Sequence, residues 1–528
     1  MPSPSRDRWA TRGAFVLAAV GSAVGLGNIW RYPHVAYNAG GGAFLIPYFI
    51  ALLTAGIPLL MLEFGLGHRM QSAAPASFAR IHRKLEFAGW WATIGGLFIT
   101  FYYTVIMAWI CFYVVDLTGG LFTGAMPWKE GMAGAYLDSR VLTGNAQTTA
   151  EAWSFWPLNF LAILFNGLVW IAIYYSIRNG VHSVGKVVWF SVLFPYVLLL
   201  ILFFTVIRLD GASAGLSYYL SPDWSKFTDP ETGNISFHAI AKVASAAYGQ
   251  IFFSLSIGFG IMIAYASFLP KKADLINNAR ITAYANSATE FFAGFITFAV
   301  LGFLAVTHGK FVGDVVGTSS FTLALVSYPT AIETMTDWGV TGQCLFGITF
   351  FVCLLILGVD SAFTLLDALV AGICDKFSVS RKRVTAIFCL VGWLVGICFC
   401  TPTGIVLLDA ADHFLADYGL LMVGLAQCIA VGWLMNPASL RSHMNSVSEV
   451  RTTMFWDFCV KYFTPVVLVF LLAFQLYSDI VEGNRSSAVN ILGFCILFTA
   501  FAAAIVLSKV RPQKLGYLDA PEVEHEQK

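Results

Sequence analysis

Residues 21–33 read GSAVGLGNIWRYP and lie inside an apolar stretch that begins near Gly13. Gly21, Gly25 and Gly27 each cost a helix about 1 kcal/mol relative to alanine, so an unbroken helix across 21–27 is disfavoured. A break leaves main-chain amides and carbonyls without partners, which apolar surroundings tolerate only where they line a cavity or are buried in protein. Such bare ends bind ions and zwitterions, because amides at a helix start attract a carboxylate and carbonyls at a helix end attract a cation. Close packing through small residues is the competing reading, since Gly21 and Gly25 also match G-x-x-x-G. A second stretch, GQIFFSLSIGFG at 249–260, again mixes Gly with Ser in an apolar run. Asn286 and Glu290 are four apart and share a helix face, and Asp360 and Ser361 sit within LLILGVDSAF. A charged carboxylate near a bilayer centre costs at least about 2.5 kcal/mol, which marks Glu290 and Asp360 as functional candidates.

The elements that must hold these residues follow from composition. The chain has 528 residues, of which 58% are hydrophobic and only 12% charged, and its 31 basic and 30 acidic side chains nearly cancel. That is an all-α polytopic membrane protein rather than a soluble one. Spans of about 20 residues are expected near 13–37, 42–70, 88–118, 158–177, 183–207, 240–268, 275–307, 339–372, 384–400, 404–435, 455–477 and 488–508, about 12 transmembrane helices in all. The basic start runs directly into the first span without a small-residue cleavage site, so no cleavable signal is expected. The ten cysteines fall in or beside apolar segments, which argues for packing rather than disulfides, and C-x-C at Cys398 and Cys400 lacks further ligands for a metal.

Orientation follows from the basic residues. With the amino terminus inside, the outer loops hold only Lys129, Arg140, Arg208, Lys226, Lys310 and Arg485, while the inner loops hold most of the remaining Lys and Arg. Both termini are therefore expected in the cytoplasm. The first and sixth spans lead two sets of five that start from opposite sides, so the sets form inverted repeats whose broken helices 1 and 6 face each other at the midplane. The expected organisation is a cytoplasmic segment 1–12, a first repeat 13–207, an outer loop 208–239, a second repeat 240–435, accessory helices 11 and 12 within 436–508, and a cytoplasmic tail 509–528. The loop at 119–157 can form a lid, and 309–338 is expected to fold back toward the outer mouth.

At these residues the chain resembles the neurotransmitter:sodium symporter family and its bacterial amino-acid members, which have the leucine-transporter fold. The motifs run in order from RDRWATRGAFVLAAVGSAVGLGNIWRYP through NAGGGAFLIPY, GQIFFSLSIGFG, NSATE and LGVDSAF to LLDAADHF. The resemblance implies a sodium-coupled symporter with two sodium ions. One would be held at Ala23, Asn28, Ser254 and Asn286 with the substrate carboxylate, the other at Gly21, Val24, Leu357, Asp360 and Ser361. It implies a substrate pocket bounded by Ala23, Gly25, Leu26, Gly27, Ile99, Tyr103, Phe253, Ser254, Ser256, Phe259, Ser361 and Leu365. Tyr103 and the amides of Leu26 and Gly27 would hold a carboxylate. Monoamine carriers place Asp where this chain has Gly25, so the substrate must bring its own carboxylate. The apolar end of the pocket points to a neutral, apolar amino acid. Chloride-dependent relatives have Ser where Glu290 stands, which implies chloride-independent uptake with a proton carried through Glu290.

The same resemblance implies an outer gate of Arg31 with Asp412 and an inner gate of Arg6 and Trp9 with Asp375. Glu63 is expected to accept hydrogen bonds from amides freed by the breaks. Two other readings stand beside the symporter: a sodium-independent exchanger of the same fold, and an amino-acid-binding membrane receptor that does not transport. Asn28, Asn286, Asp360 and Ser361 argue against the first, and two gate sets argue against the second. An enzyme is not expected, since H-E-x-x-H and a phosphate loop are absent. The partners expected are the amino acid, sodium, the lipid bilayer of a bacterial inner membrane and a second copy in a homodimer, with no nucleic acid.

Overall fold

An apolar segment in a bilayer must satisfy every backbone polar group internally, and a continuous helix does so. A computed structural model describes residues 7–129, 131–142, 154–317, 319–481, 483, 485–514 and 516–519. Arg6 lies outside the described residues, as do 143–153 of the expected lid and 520–528 of the tail. Ten helices are long and apolar enough to cross a membrane, and the described residues contain no strand. They are Gly42–Met70, Arg83–Thr123, Phe160–Ile177, Val181–Val206, Leu275–Thr307, Thr336–Lys376, Arg381–Phe399, Gly404–Met435, Met454–Val481 and Ser487–Lys509. The first span is a pair, Arg12–Ala23 and Gly27–Asn38, bent by 48°. The sixth is likewise split, into Phe237–Ser254 and Ile261–Ala266. With these two, the spans follow the order expected from the sequence.

The spans differ in how much lipid they meet. The most apolar window of Arg83–Thr123 is 78% buried, against 28% in Met454–Val481 and 22% in Ser487–Lys509. The third span is therefore a central post, and the eleventh and twelfth are peripheral. The third and eighth spans pack along each other, and the two broken spans lie beside them. Side-chain caps fix several starts: Thr11 accepts from Ala14 N–H, Ser236 from Ala239 N–H and Asp274 from Asn277 N–H.

The first and last described segments, 7–11 and 510–519, lie on one side, here called the terminal face. There, short helices Ala74–Ile81 and Pro437–Val447 join consecutive spans. Residues 510–519 fold back onto this face: Gln513 N–H donates to Lys376 O at 2.9 Å, and the Tyr517 hydroxyl donates to Glu86 at 3.0 Å. On the opposite face, the segment after the seventh span returns over the first, with Phe321 edge-on to Trp30 and Tyr37 donating to Gly313 O.

Candidate functional site

The two breaks meet at mid-depth. After Ala23 the first span turns extended at Val24, and helix resumes at Gly27 with wide turns that bond five residues back. Side chains take up the freed amides: Gly25 N–H donates to Asn28 Oδ1 at 2.8 Å and Leu26 N–H to the Tyr103 hydroxyl at 3.2 Å. In the sixth span the helix stops at Ser254 and the chain runs irregularly over 255–260. Ser256 there has φ +54°, a left-handed conformation rare outside glycine. Its hydroxyl donates to Ser22 O at 2.8 Å and so ties one break to the other. Glu63 accepts from Gly258 N–H at 2.9 Å and from Gln427 at 2.7 Å, the role expected of it.

A small, nearly filled cavity of about 30 Å³ lies between the breaks. Every expected pocket residue except Leu26 lines it, and Ser22 and Asn28 join them. Leu26 contributes through its backbone, by the contact to Tyr103. No lining residue carries a formal charge, and Ile99, Phe253, Phe259 and Leu365 form an apolar end. Gly25 has no room for a side chain, since a Cβ would overlap Ser361 Oγ and come within 3.2 Å of the Tyr103 hydroxyl.

Two clusters of oxygen-bearing groups adjoin the cavity. In the first, Asn28 Nδ2 donates to Asn286 Oδ1 at 2.8 Å and Asn286 Nδ2 to Ser254 Oγ at 3.0 Å. Beyond them, buried Glu290 accepts from the Tyr48 hydroxyl and from Gln250. In the second, Asp360 is 1% exposed. Its Oδ1 accepts from Ser191 Oγ at 2.7 Å, while buried Oδ2 has no hydrogen-bond partner. A Cβ on Gly21 would overlap that same oxygen. An orphaned carboxylate oxygen facing a glycine at a helix end fits a small hard cation, which takes oxygen ligands. Leu357 and Ser361 lie on the same helix as Asp360, and Val24 ends the helix that carries Gly21.

The cavity is closed on both sides. On the opposite face the Arg31 guanidinium sits 4.4 Å from the Phe253 ring centroid and pairs with Asp417 at 3.1 Å. Asp412, the partner expected from sequence, accepts from the Tyr102 hydroxyl at 2.7 Å and lies near enough for its charge to act on Arg31. The direct pairing of Arg31 with Asp417 has a geometric cause. Residues 413–419 bond five back, so positions five apart align on one side, and Asp417 joins Asp412 on the face toward Arg31. Asp417 also meets His413 Nδ1 at 2.9 Å, and His413 Nε2 meets Asp479 of the eleventh span at 2.7 Å. On the terminal face, Trp9 donates from its ring to Tyr265 O at 2.9 Å and from its backbone to Phe268 O at 3.2 Å. Its ring packs edge-on against Phe15 and Tyr265. Asp375 accepts from Ala73 N–H at 2.8 Å and so holds the start of helix Ala74–Ile81.

Comparison with known proteins agrees with this architecture. A family model described as the sodium:neurotransmitter symporter family matches residues 6–163 and 155–511. An uncharacterized sodium-dependent transporter of Methanocaldococcus jannaschii is 35% identical over 527 residues, which cover 96% of this chain and 99% of that one. The sodium-dependent serotonin transporter of Drosophila melanogaster is 31% identical, covering 89% of this chain and 76% of its own length. The sodium- and chloride-dependent creatine transporter 1 of Mus musculus is 30% identical, with 91% and 79% covered.

Proposed function

The chain belongs to the sodium:neurotransmitter symporter family, and from that premise we propose that it takes up a neutral, apolar amino acid with two sodium ions by alternating access. The observation that carries the reading is the cavity: it has no formally charged wall, an apolar end, and no room beside Gly25 for the carboxylate that an amine substrate would need. A substrate bearing its own carboxylate and ammonium meets both needs with main-chain groups. The helix ending at Ala23 turns its negative end toward the ammonium, and the half-span starting at Gly27 turns its positive end toward the carboxylate. The Tyr103 hydroxyl sits where it steers that carboxylate.

In this reading the first sodium binds among Ala23, Asn28, Ser254 and Asn286 and touches the substrate carboxylate. The second binds among Gly21, Val24, Leu357, Asp360 and Ser361. Each ion gathers groups from both a broken span and an unbroken one, so binding draws the halves of the molecule together. We assign the opposite face to the outside, with Arg31 and Asp417 as the outer closure, and the terminal face to the cytoplasm of a bacterial cell, with Trp9 in the inner closure. Residues 13–207 and 240–435 act as the two inverted repeats.

Glu290 supplies from the protein the negative charge that chloride brings to relatives, and it sheds and regains a proton over the cycle. The test is uptake of a panel of labelled amino acids and amines into proteoliposomes, with sodium, chloride and pH gradients varied separately. An apolar amino acid should accumulate with inward sodium and without chloride, and Glu290→Ser should make uptake chloride-dependent. Accumulation of amines instead, or a chloride requirement with Glu290 intact, would overturn the proposal.

A further inference from the structure

A cavity on the terminal face has no place in the transport cycle described above. It holds about 670 Å³ where the start of the third span meets the end of the twelfth. Arg83, Lys84, Lys509 and Arg511 line it, and Phe87 and Phe501 form its apolar wall in edge-on contact, centroids 5.9 Å apart. Among the described residues none of the four cations has an ion-pair partner. The one carboxylate in the wall, Glu86, is 5% exposed and already committed: Lys376 Nζ lies 2.6 Å away, and Trp90 and Tyr517 also donate to it. Four exposed positive charges therefore ring a pocket whose protein surroundings do not neutralise them.

The position of the pocket says what can. Its apolar wall continues down the twelfth span into side chains that face lipid, with Val506 63% and Phe498 64% exposed. A ligand that fits must be anionic at the rim and apolar below it. A free phosphate would answer the charges and leave the wall uncovered, whereas a phospholipid covers both. Basic pockets between transmembrane helices at a headgroup level bind anionic lipids for this reason.

We propose that this pocket is a binding site for an anionic phospholipid, with the headgroup phosphate among Arg83, Lys84, Lys509 and Arg511 and an acyl chain against Phe87 and Phe501. Bound there, the lipid pins the peripheral twelfth span to the third, the span that carries Ile99 and Tyr103 into the substrate cavity.

The test uses the full-length protein in detergent. Phosphatidylglycerol, phosphatidylcholine and soluble glycerol phosphate are each titrated, and binding is read by native mass spectrometry. Wild type should retain phosphatidylglycerol at least about tenfold better than phosphatidylcholine. The combined variant Arg83→Gln, Lys84→Gln, Lys509→Gln, Arg511→Gln should lose that preference. A charge-matched control, Lys272→Gln, Lys382→Gln, Arg383→Gln, Arg451→Gln, should keep it. Where the combined variant does not fold, Lys509→Gln with Arg511→Gln, at and just past the end of the twelfth span, should weaken the preference severalfold. Equal loss in control and pocket variants, or glycerol phosphate binding as tightly as the lipid, would overturn the proposal. So would phosphatidylglycerol binding only after removal of the acidic residues 520–528, which would make the chain's own tail the occupant.

Discussion

Replacing Gly21 with alanine places a single methyl group in the gap between the first span and Asp360. The new carbon would overlap Asp360 Oδ2 and stand 2.5 Å from Val192 Cγ2, whereas carbon atoms rest about 3.5–4 Å apart. The backbone has little reason to yield, because alanine favours the helix Arg12–Ala23 by about 1 kcal/mol over glycine. The carboxylate must therefore swing away, and with it goes the contact from Ser191. Overpacking of this kind costs about 1–3 kcal/mol. The proposed sodium-bound state needs Oδ2 in place, so the cost falls mainly on that state. At about 1.4 kcal/mol per decade, half-saturating sodium should rise about 5- to 140-fold. Sodium titrations of uptake in proteoliposomes read this directly. Gly95→Ala is the control, since a Cβ there meets nothing within 4 Å. A folded Gly21→Ala protein with the wild-type sodium curve would refute the assignment of Asp360 Oδ2 to an ion.

Three further outcomes are expected. Tyr103→Phe removes the hydroxyl proposed to hold the substrate carboxylate, a hydrogen bond to a charged group worth about 1.5–3 kcal/mol; substrate KM should rise about 12- to 140-fold in uptake kinetics, with kcat less affected. Asp417→Asn should loosen the closure over Phe253 by about 1 kcal/mol, so a cysteine placed at Ile99 in a cysteine-free background reacts about fivefold faster with an impermeant thiol reagent, while Asp412→Asn changes little. On the terminal face, burial, with the charges of His68 and Arg69, pushes the His443 imidazole down to about 4. The unfolded chain then binds the extra proton first, so thermal stability in detergent should fall as pH drops from about 6.5 toward 4, and His443→Gln should flatten that fall.

The spans were legible because a bilayer imposes a length and an apolar composition that few other environments demand. The span at 404–435 has the same bounds in sequence and structure. The breaks were legible because glycine is dear in a helix, and the pocket because the motif residues flank those breaks. What sequence hid is instructive in each case. Asp417 stands five residues from Asp412, about 140° around an ordinary helix, and only wide turns bring the two to one side. Ser191, which holds Asp360 Oδ1, is a lone hydroxyl in an apolar span and forms no pattern with its neighbours. Asn28 was expected as an ion ligand, yet it also lines the cavity, because one side chain caps the Gly25 amide from within the break. Residues 510–519 read as a tail, although Tyr517, an aromatic side chain in a polar stretch, was a signal that the segment docks.

The two closures are built unequally. Toward the opposite face, one ion pair and one ring lie over the cavity. Toward the terminal face, Trp9 interlocks with Phe15 and Tyr265, Phe15 leans on Phe64, and Trp9 holds two carbonyls of the second half of the sixth span. Opening in that direction requires an aromatic cluster to unpack together with a piece of helix, whereas opening in the other requires the Arg31–Asp417 pair to part and the Phe253 ring to move. In the proposed cycle, opening toward the terminal face therefore has more packing to break than opening toward the opposite face.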